Sequence, residues 1–156
     1  MLKIHKKIIK EVVEKNKTNP KIIAILLFGS LAKGTANNKS DVDIEIIYTG
    51  NKWKEANEHI NGIKVDYEYW PYKQLIKKLD NSPYLCYPYT YEKVLYDKNN
   101  FAKKLKLRVK RYFRENKEIE TFWGKWEKEY LINKKRGKKI KDVNIFYKEL
   151  KKKFSK

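Results

Sequence analysis

A chain of 156 residues is sized for one domain, and a 41% hydrophobic share with 12 Tyr, 6 Phe and 4 Trp excludes intrinsic disorder despite 37% charged residues. The lone cysteine, Cys86, excludes a disulfide framework and a thiolate metal cluster and suits a reducing compartment. The formal charge of +19 attracts phosphates, anionic lipid or acidic proteins, but only Arg108, Arg111, Arg114 and Arg136 of the 38 basic residues are arginine, so the lysine skew reads as AT-rich codon usage on a solvated surface before a nucleic-acid patch.

The first segment sets Ile4, Ile8, Ile9, Val12 and Val13 at helical spacing and predicts an amphipathic helix ending before Thr18, Asn19 and Pro20. It lacks the continuous apolar stretch of a signal peptide, and no segment approaches the roughly 20 apolar residues of a membrane span, so a cytoplasmic protein with no membrane partner is expected. Ile22 to Phe28 is an unbroken apolar run stopped by Gly29 and Ser30, the pattern of a strand buried on both faces. Asp41 to Tyr48 then alternates, with Val42, Ile44 and Ile46 toward a core and Asp41, Asp43 and Glu45 on the opposite face. Glu45 is expected at the surface, solvated or in a salt bridge. Trp53 to Ile60 reads as a short helix. Gly62 to Trp70 alternates again, Ile63, Val65, Tyr67 and Tyr69 against Lys64, Asp66 and Glu68, and Pro71 opens a helix through Leu79. Pro83 and Pro88 mark an irregular link before a last short strand, Lys93 to Asp97.

From Phe101 onward the stripes Leu105, Val109, Tyr112, then Ile119, Phe122, Trp123, Trp126, Tyr130, then Val143, Phe146, Leu150, Phe154 predict packing faces of helices. A composition shift near residue 98 divides the chain into a domain of residues 1–98 and a basic helical extension, 99–156, packed on it. The fold class is α/β (α+β): a mixed, twisted sheet of four to five strands, with helices on one face and the site at the sheet edge.

The chemistry concentrates in Leu27 to Ile46, LFGSLAKGTANNKSDVDIEI. A Gly-Ser turn after a buried strand exposes backbone N–H groups and a hydroxyl, and glycine lets a bulky anion approach the backbone. Ten residues separate Ser30 from Asp41, and Asp41 and Asp43 leave one face of the next strand a few ångströms apart. Such a pair is costly unless cations neutralise it, and hard divalent ions shared with phosphate oxygens are its natural partners. Asp66, on the polar face of the third strand, adds a carboxylate for a two-metal phosphoryl-transfer site. His5 and His59 lack metal-ligand spacing. Tyr67, Tyr69, Trp70, Tyr84, Tyr87 and Tyr89 suit core packing before base stacking.

Phe28, Gly29, Ser30, Asp41, Val42, Asp43 and Ile44, extended by Ala32, Gly34 and Ser40, resemble the signature of the polymerase-β-like nucleotidyltransferase superfamily in its minimal form. The resemblance covers roughly residues 20 to 98. It implies a nucleotidyltransferase fold, with Gly29 and Ser30 holding the triphosphate tail and Lys33 and Ser40 as further nucleotide-binding candidates. It implies that Asp41, Asp43 and Asp66 are at once catalytic and the ligands of two Mg²⁺ ions, with Mn²⁺ as a substitute, and that Asp66 helps deprotonate the acceptor hydroxyl. The expected activity is transfer of a nucleoside monophosphate, AMP from ATP or another nucleoside triphosphate, to a small hydroxylated molecule or a partner protein. Two alternatives stand beside it: an antitoxin-type enzyme adenylylating a HEPN-class toxin, and a non-catalytic nucleic-acid-binding module that kept the fold.

Overall fold

The computed structural model describes residues 2–139 and 142–155. Helix α1 (Lys3–Lys17) forms where periodicity places it and buries Ile8, Ile9 and Val12. Strand β1 (Ile22–Phe28) is paired on both edges. Its side chains divide between two cores, Ile22, Ile25 and Leu27 in one and Ala24 and Leu26 in the other. An unbroken apolar strand requires that double burial.

Gly29 starts a short helix, α2 (Gly29–Lys33), which Gly34 ends with a left-handed φ of 76°. Strand β2 (Val42–Tyr48) runs antiparallel to β1. Strands β3 (Lys54–Ile60) and β4 (Ile63–Pro71) form an antiparallel hairpin, and β4 lies parallel to β2. Strand β5 (Lys93–Asp97) joins the other edge of β1, giving the order β3-β4-β2-β1-β5. The result is the expected mixed α/β architecture, with five strands.

Two expectations are corrected. Residues 53–60 are not a short helix: 54–60 form edge strand β3. Lys, Glu and Ala favour a helix locally, but Asn61 and Gly62, with φ of 52° and 78°, form a two-residue turn between the paired Ile60 and Ile63. Consecutive positive φ values are the mark of a type I′ hairpin, and cross-strand pairing overrides the local propensity.

Helices also cover both faces of the sheet, not one. α1 and α2 close the first core, with Leu31 and Ala32 beneath α2. α3 (Tyr72–Asn81), α4 (Phe101–Glu115), α5 (Lys117–Lys135) and α6 (Val143–Phe154) close the second. There Leu75, Val109, Phe113, Trp123, Phe146 and Leu150 pack in one cluster with Leu26 and Ile47 of the sheet. The C-terminal helices therefore share a core with the strands. Among the described residues no helix is long and apolar enough to cross a membrane.

Candidate active site

The parallel register of β2 and β4 sets Asp43 beside Asp66 and Glu45 beside Glu68, and β3 adds Asn57 opposite Asp66 and Glu55 opposite Glu68. Because side chains alternate along a strand, these groups share one face of the sheet. Asp43 is partly buried there. Burial first, then the charges of Asp66, Asp41 and Glu68, push its carboxyl up to about 6 against the opposing pull of Lys64. Asp41 is exposed just ahead of β2, close enough to add to that field. Asp66 is held by the Lys64 ammonium, whose Nζ lies 2.7 Å from Oδ1 and 2.8 Å from Oδ2.

Gly29 has a φ of 65°, and a Cβ built on it would fall 1.9 Å from Asp43 Oδ2. Only glycine lets the turn after β1 lie against the carboxylate of β2. Asp43, Asp66 and the Gly-Ser turn thus come together from separate stretches of the sequence, with Asp41 exposed alongside.

From Gly29, Ser30 and Asp43 a cavity of about 590 Å³ opens toward the C-terminal helices. Lys33 lines it, with Nζ 2.7 Å from Glu127 Oε1 and 4.4 Å from the centre of the Tyr91 ring. Trp126, Tyr130 and Tyr147 complete its far wall. On the other side of Asp43 lies a groove of about 420 Å³, lined by Asp66, Glu68, Glu55, Asn57 and Lys64. Asp43 is common to both spaces.

Ser40 is not brought to the cavity. Its Oγ accepts the Asn37 N–H at 2.8 Å, and its carbonyl is 2.9 Å from Nε2 of the fully buried His5. His5, given no role from sequence, thereby ties α1 to the loop that precedes Asp41. Glu45 is not at the surface but only 5% exposed, accepting the Tyr89 hydroxyl at 2.7 Å beneath the link between α3 and β5. The row of carboxylates is therefore roofed at Glu45 and open at Asp43 and Asp66. Tyr84, Tyr87 and Tyr89 serve the second core, while Tyr67 and Tyr69 belong to the first, on the face away from the acids.

Sequence reasoning missed Tyr91, Trp126, Glu127, Tyr130 and Tyr147. The spacing in α5 and α6 shows only amphipathic helices, and Tyr91 stands in the irregular link before β5; nothing in either says that these residues line a cavity. Among the described residues no group of three or more His, Cys, Asp or Glu lies close enough to hold a metal ion. The Asp43–Asp66 pair nonetheless offers the hard oxygen donors of a Mg²⁺ site that takes its other ligands from phosphate and water, and Lys64 is a cation already drawn to it.

A carboxylate pair set against a glycine turn on a mixed sheet is the arrangement expected of a nucleotidyltransferase fold. The chain belongs to the polymerase beta nucleotidyltransferase family, whose model, described as Polymerase beta, Nucleotidyltransferase, matches residues 7–101. It is 30% identical over 131 residues to a Methanocaldococcus jannaschii protein named "Putative protein adenylyltransferase", covering 76% of this chain and 86% of that one. Its fold is similar to a nucleotidyltransferase-like protein from Exiguobacterium sibiricum, with a TM-score of 0.52 at 12% identity over 65% of this chain and 37% of that longer one. A toxin-antitoxin structure with AMP-PNP matches at a TM-score of 0.38 and 22% identity, over 71% of this chain and 87% of that one.

Proposed function

We propose that this protein transfers AMP from ATP to a hydroxyl of an acceptor protein. The carrying observation is the Asp43–Asp66 pair, which faces the nucleotide-sized cavity on one side and the acidic groove on the other. The name of the Methanocaldococcus jannaschii relative supports adenylyl as the group and protein as the acceptor class.

In this reading Gly29 and Ser30 hold the triphosphate tail in the larger cavity, with Lys33 as a counter-charge. Asp43 and Asp66 would hold Mg²⁺ together with phosphate and water, with the charge of Asp41 close by; the ion when bound neutralises phosphate charge and lowers the pKa of an attacking hydroxyl. Asp43 orients the α-phosphate, since among the described residues it alone borders both spaces. Asp66 lines the groove by which the acceptor arrives, and takes the proton from its hydroxyl as the new P–O bond forms and pyrophosphate leaves. The buried Glu45 supports this from beneath through its bond to Tyr89 and touches no substrate.

The acceptor class is tested by incubating the protein with ATP labelled on the α-phosphate in a lysate of the source organism. Label on a protein band, lost with Asp66→Asn, is expected. Label confined to small molecules would replace the protein acceptor with a hydroxylated metabolite.

A further inference from the structure

The cavity beside Asp43 is chemically two-ended. One end carries Gly29, Ser30 and Lys33; the other is built from Trp126, Tyr130 and Tyr147, aromatic residues of α5 and α6. Trp126 is braced there: its ring stacks on Phe146 at 4.5 Å with 14° between planes, and Tyr130 lies 5.5 Å away. Between the ends stand Tyr91 and Glu127, and both now hold Lys33, the ring at 4.4 Å and the carboxylate at 2.7 Å. Glu127 is 19% exposed in its side chain, so a carboxylate deprived of that partner would need another donor.

We infer that Tyr91, Trp126 and Tyr130 form the slot for the nucleobase and that Glu127 selects bases bearing an exocyclic amino group. The inference rests on the nucleotidyltransferase reading and adds to it a base subsite contributed by the C-terminal helices. The polarity of the cavity matches that of the ligand, anionic tail at one end and flat ring at the other. An incoming triphosphate draws the Lys33 ammonium away, because several phosphate charges outweigh one carboxylate. That movement bares the face of Tyr91 and leaves Glu127 without its donor. The amino group of adenine or cytosine supplies the missing hydrogen bond. The corresponding position of uracil is a carbonyl oxygen, which a carboxylate repels.

Binding of α,β-methylene ATP, which cannot transfer its nucleotide, is compared with binding of inorganic tripolyphosphate and of the corresponding uridine analogue. Trp126→Leu is expected to weaken the ATP analogue about tenfold and to leave tripolyphosphate within about twofold, because only the base stacks. Trp126→Phe keeps a ring and should restore most of the affinity. Wild-type protein should prefer the adenine over the uracil analogue about tenfold, and Glu127→Gln, whose amide can also donate, should reduce that preference to about threefold or less. Unchanged affinity for the ATP analogue in Trp126→Leu, equal losses for both ligands with no rescue by Trp126→Phe, or an unaltered adenine preference in Glu127→Gln would overturn the inference. Wild-type protein that binds neither nucleotide nor tripolyphosphate would overturn the nucleotidyltransferase reading beneath it.

Discussion

At the level of single residues, Gly29 sets how closely the turn after β1 approaches Asp43. With φ at 65° and no room for a Cβ beside Asp43 Oδ2, alanine there must twist the turn or displace the carboxylate. The left-handed backbone alone costs about 1–2 kcal/mol. In the proposed function a displaced Asp43 carboxylate costs more in rate than in stability, so Gly29→Ala should lower the melting temperature modestly and slow transfer about 100-fold. A second residue-scale prediction concerns Glu45, whose burial pushes its carboxyl up to about 7. The folded protein then retains a proton that the unfolded chain releases near 4.5. The stability tied to that proton is complete below about pH 4.5 and lost as pH rises through about 7. Glu45→Gln, which still accepts from Tyr89, should therefore be nearly neutral at pH 5 and raise the melting temperature relative to wild type at pH 8.

At the element scale the hairpin 54–71 tests whether pairing rather than propensity makes β3 a strand. Gly62 has a φ of 78°, and a Cβ placed there meets nothing within 4 Å, so Gly62→Ala probes backbone conformation alone. A loss of about 1 kcal/mol in urea denaturation is expected; no loss would mean that the turn is not under the constraint described. This hairpin also shows where legibility ended. β1, β2 and β4 are readable because buried strands must alternate or run apolar, and 22–28, 41–48 and 63–70 do so. β3 is an edge strand, mostly exposed, so its residues carry no burial pattern, and the Asn-Gly pair at 61–62 was its one signal. In the site, Asp43 beside Asp66 follows from alternation plus a parallel register. Ser40 faces away from the cavity because a serine ahead of a strand can cap its own loop as readily as it can bind phosphate.

At the scale of the whole molecule, the C-terminal helices complete the second core and wall the cavity. Phe146 stacks with Phe122 and Trp126 and is 1% exposed. Phe146→Ala should cost about 3–5 kcal/mol. Because Leu26 and Ile47 of the sheet belong to the same cluster, the loss should appear in one cooperative transition. Separate transitions for sheet and helices would show that the strands and the C-terminal helices do not share the second core. The aromatic wall was not legible in sequence because Tyr91, Trp126 and Tyr147 meet only after the helices fold back over the sheet. Trp123 and Trp126 lie on one stripe and both border the cavity, the first from within the core and the second from its partly exposed rim.

In the proposed function Asp43 serves nucleotidyl transfer, with the α-phosphate as the group moved. The direct measurement follows label from ATP marked at the α-phosphate and, separately, at the γ-phosphate, using wild-type protein and Asp43→Asn with Mg²⁺ present. Label from the α-position alone should reach an acceptor, with pyrophosphate released in equal amount, and Asp43→Asn should abolish it while keeping the fold. Transfer of the γ-label, or α-label transfer undiminished in Asp43→Asn, would contradict that role for Asp43.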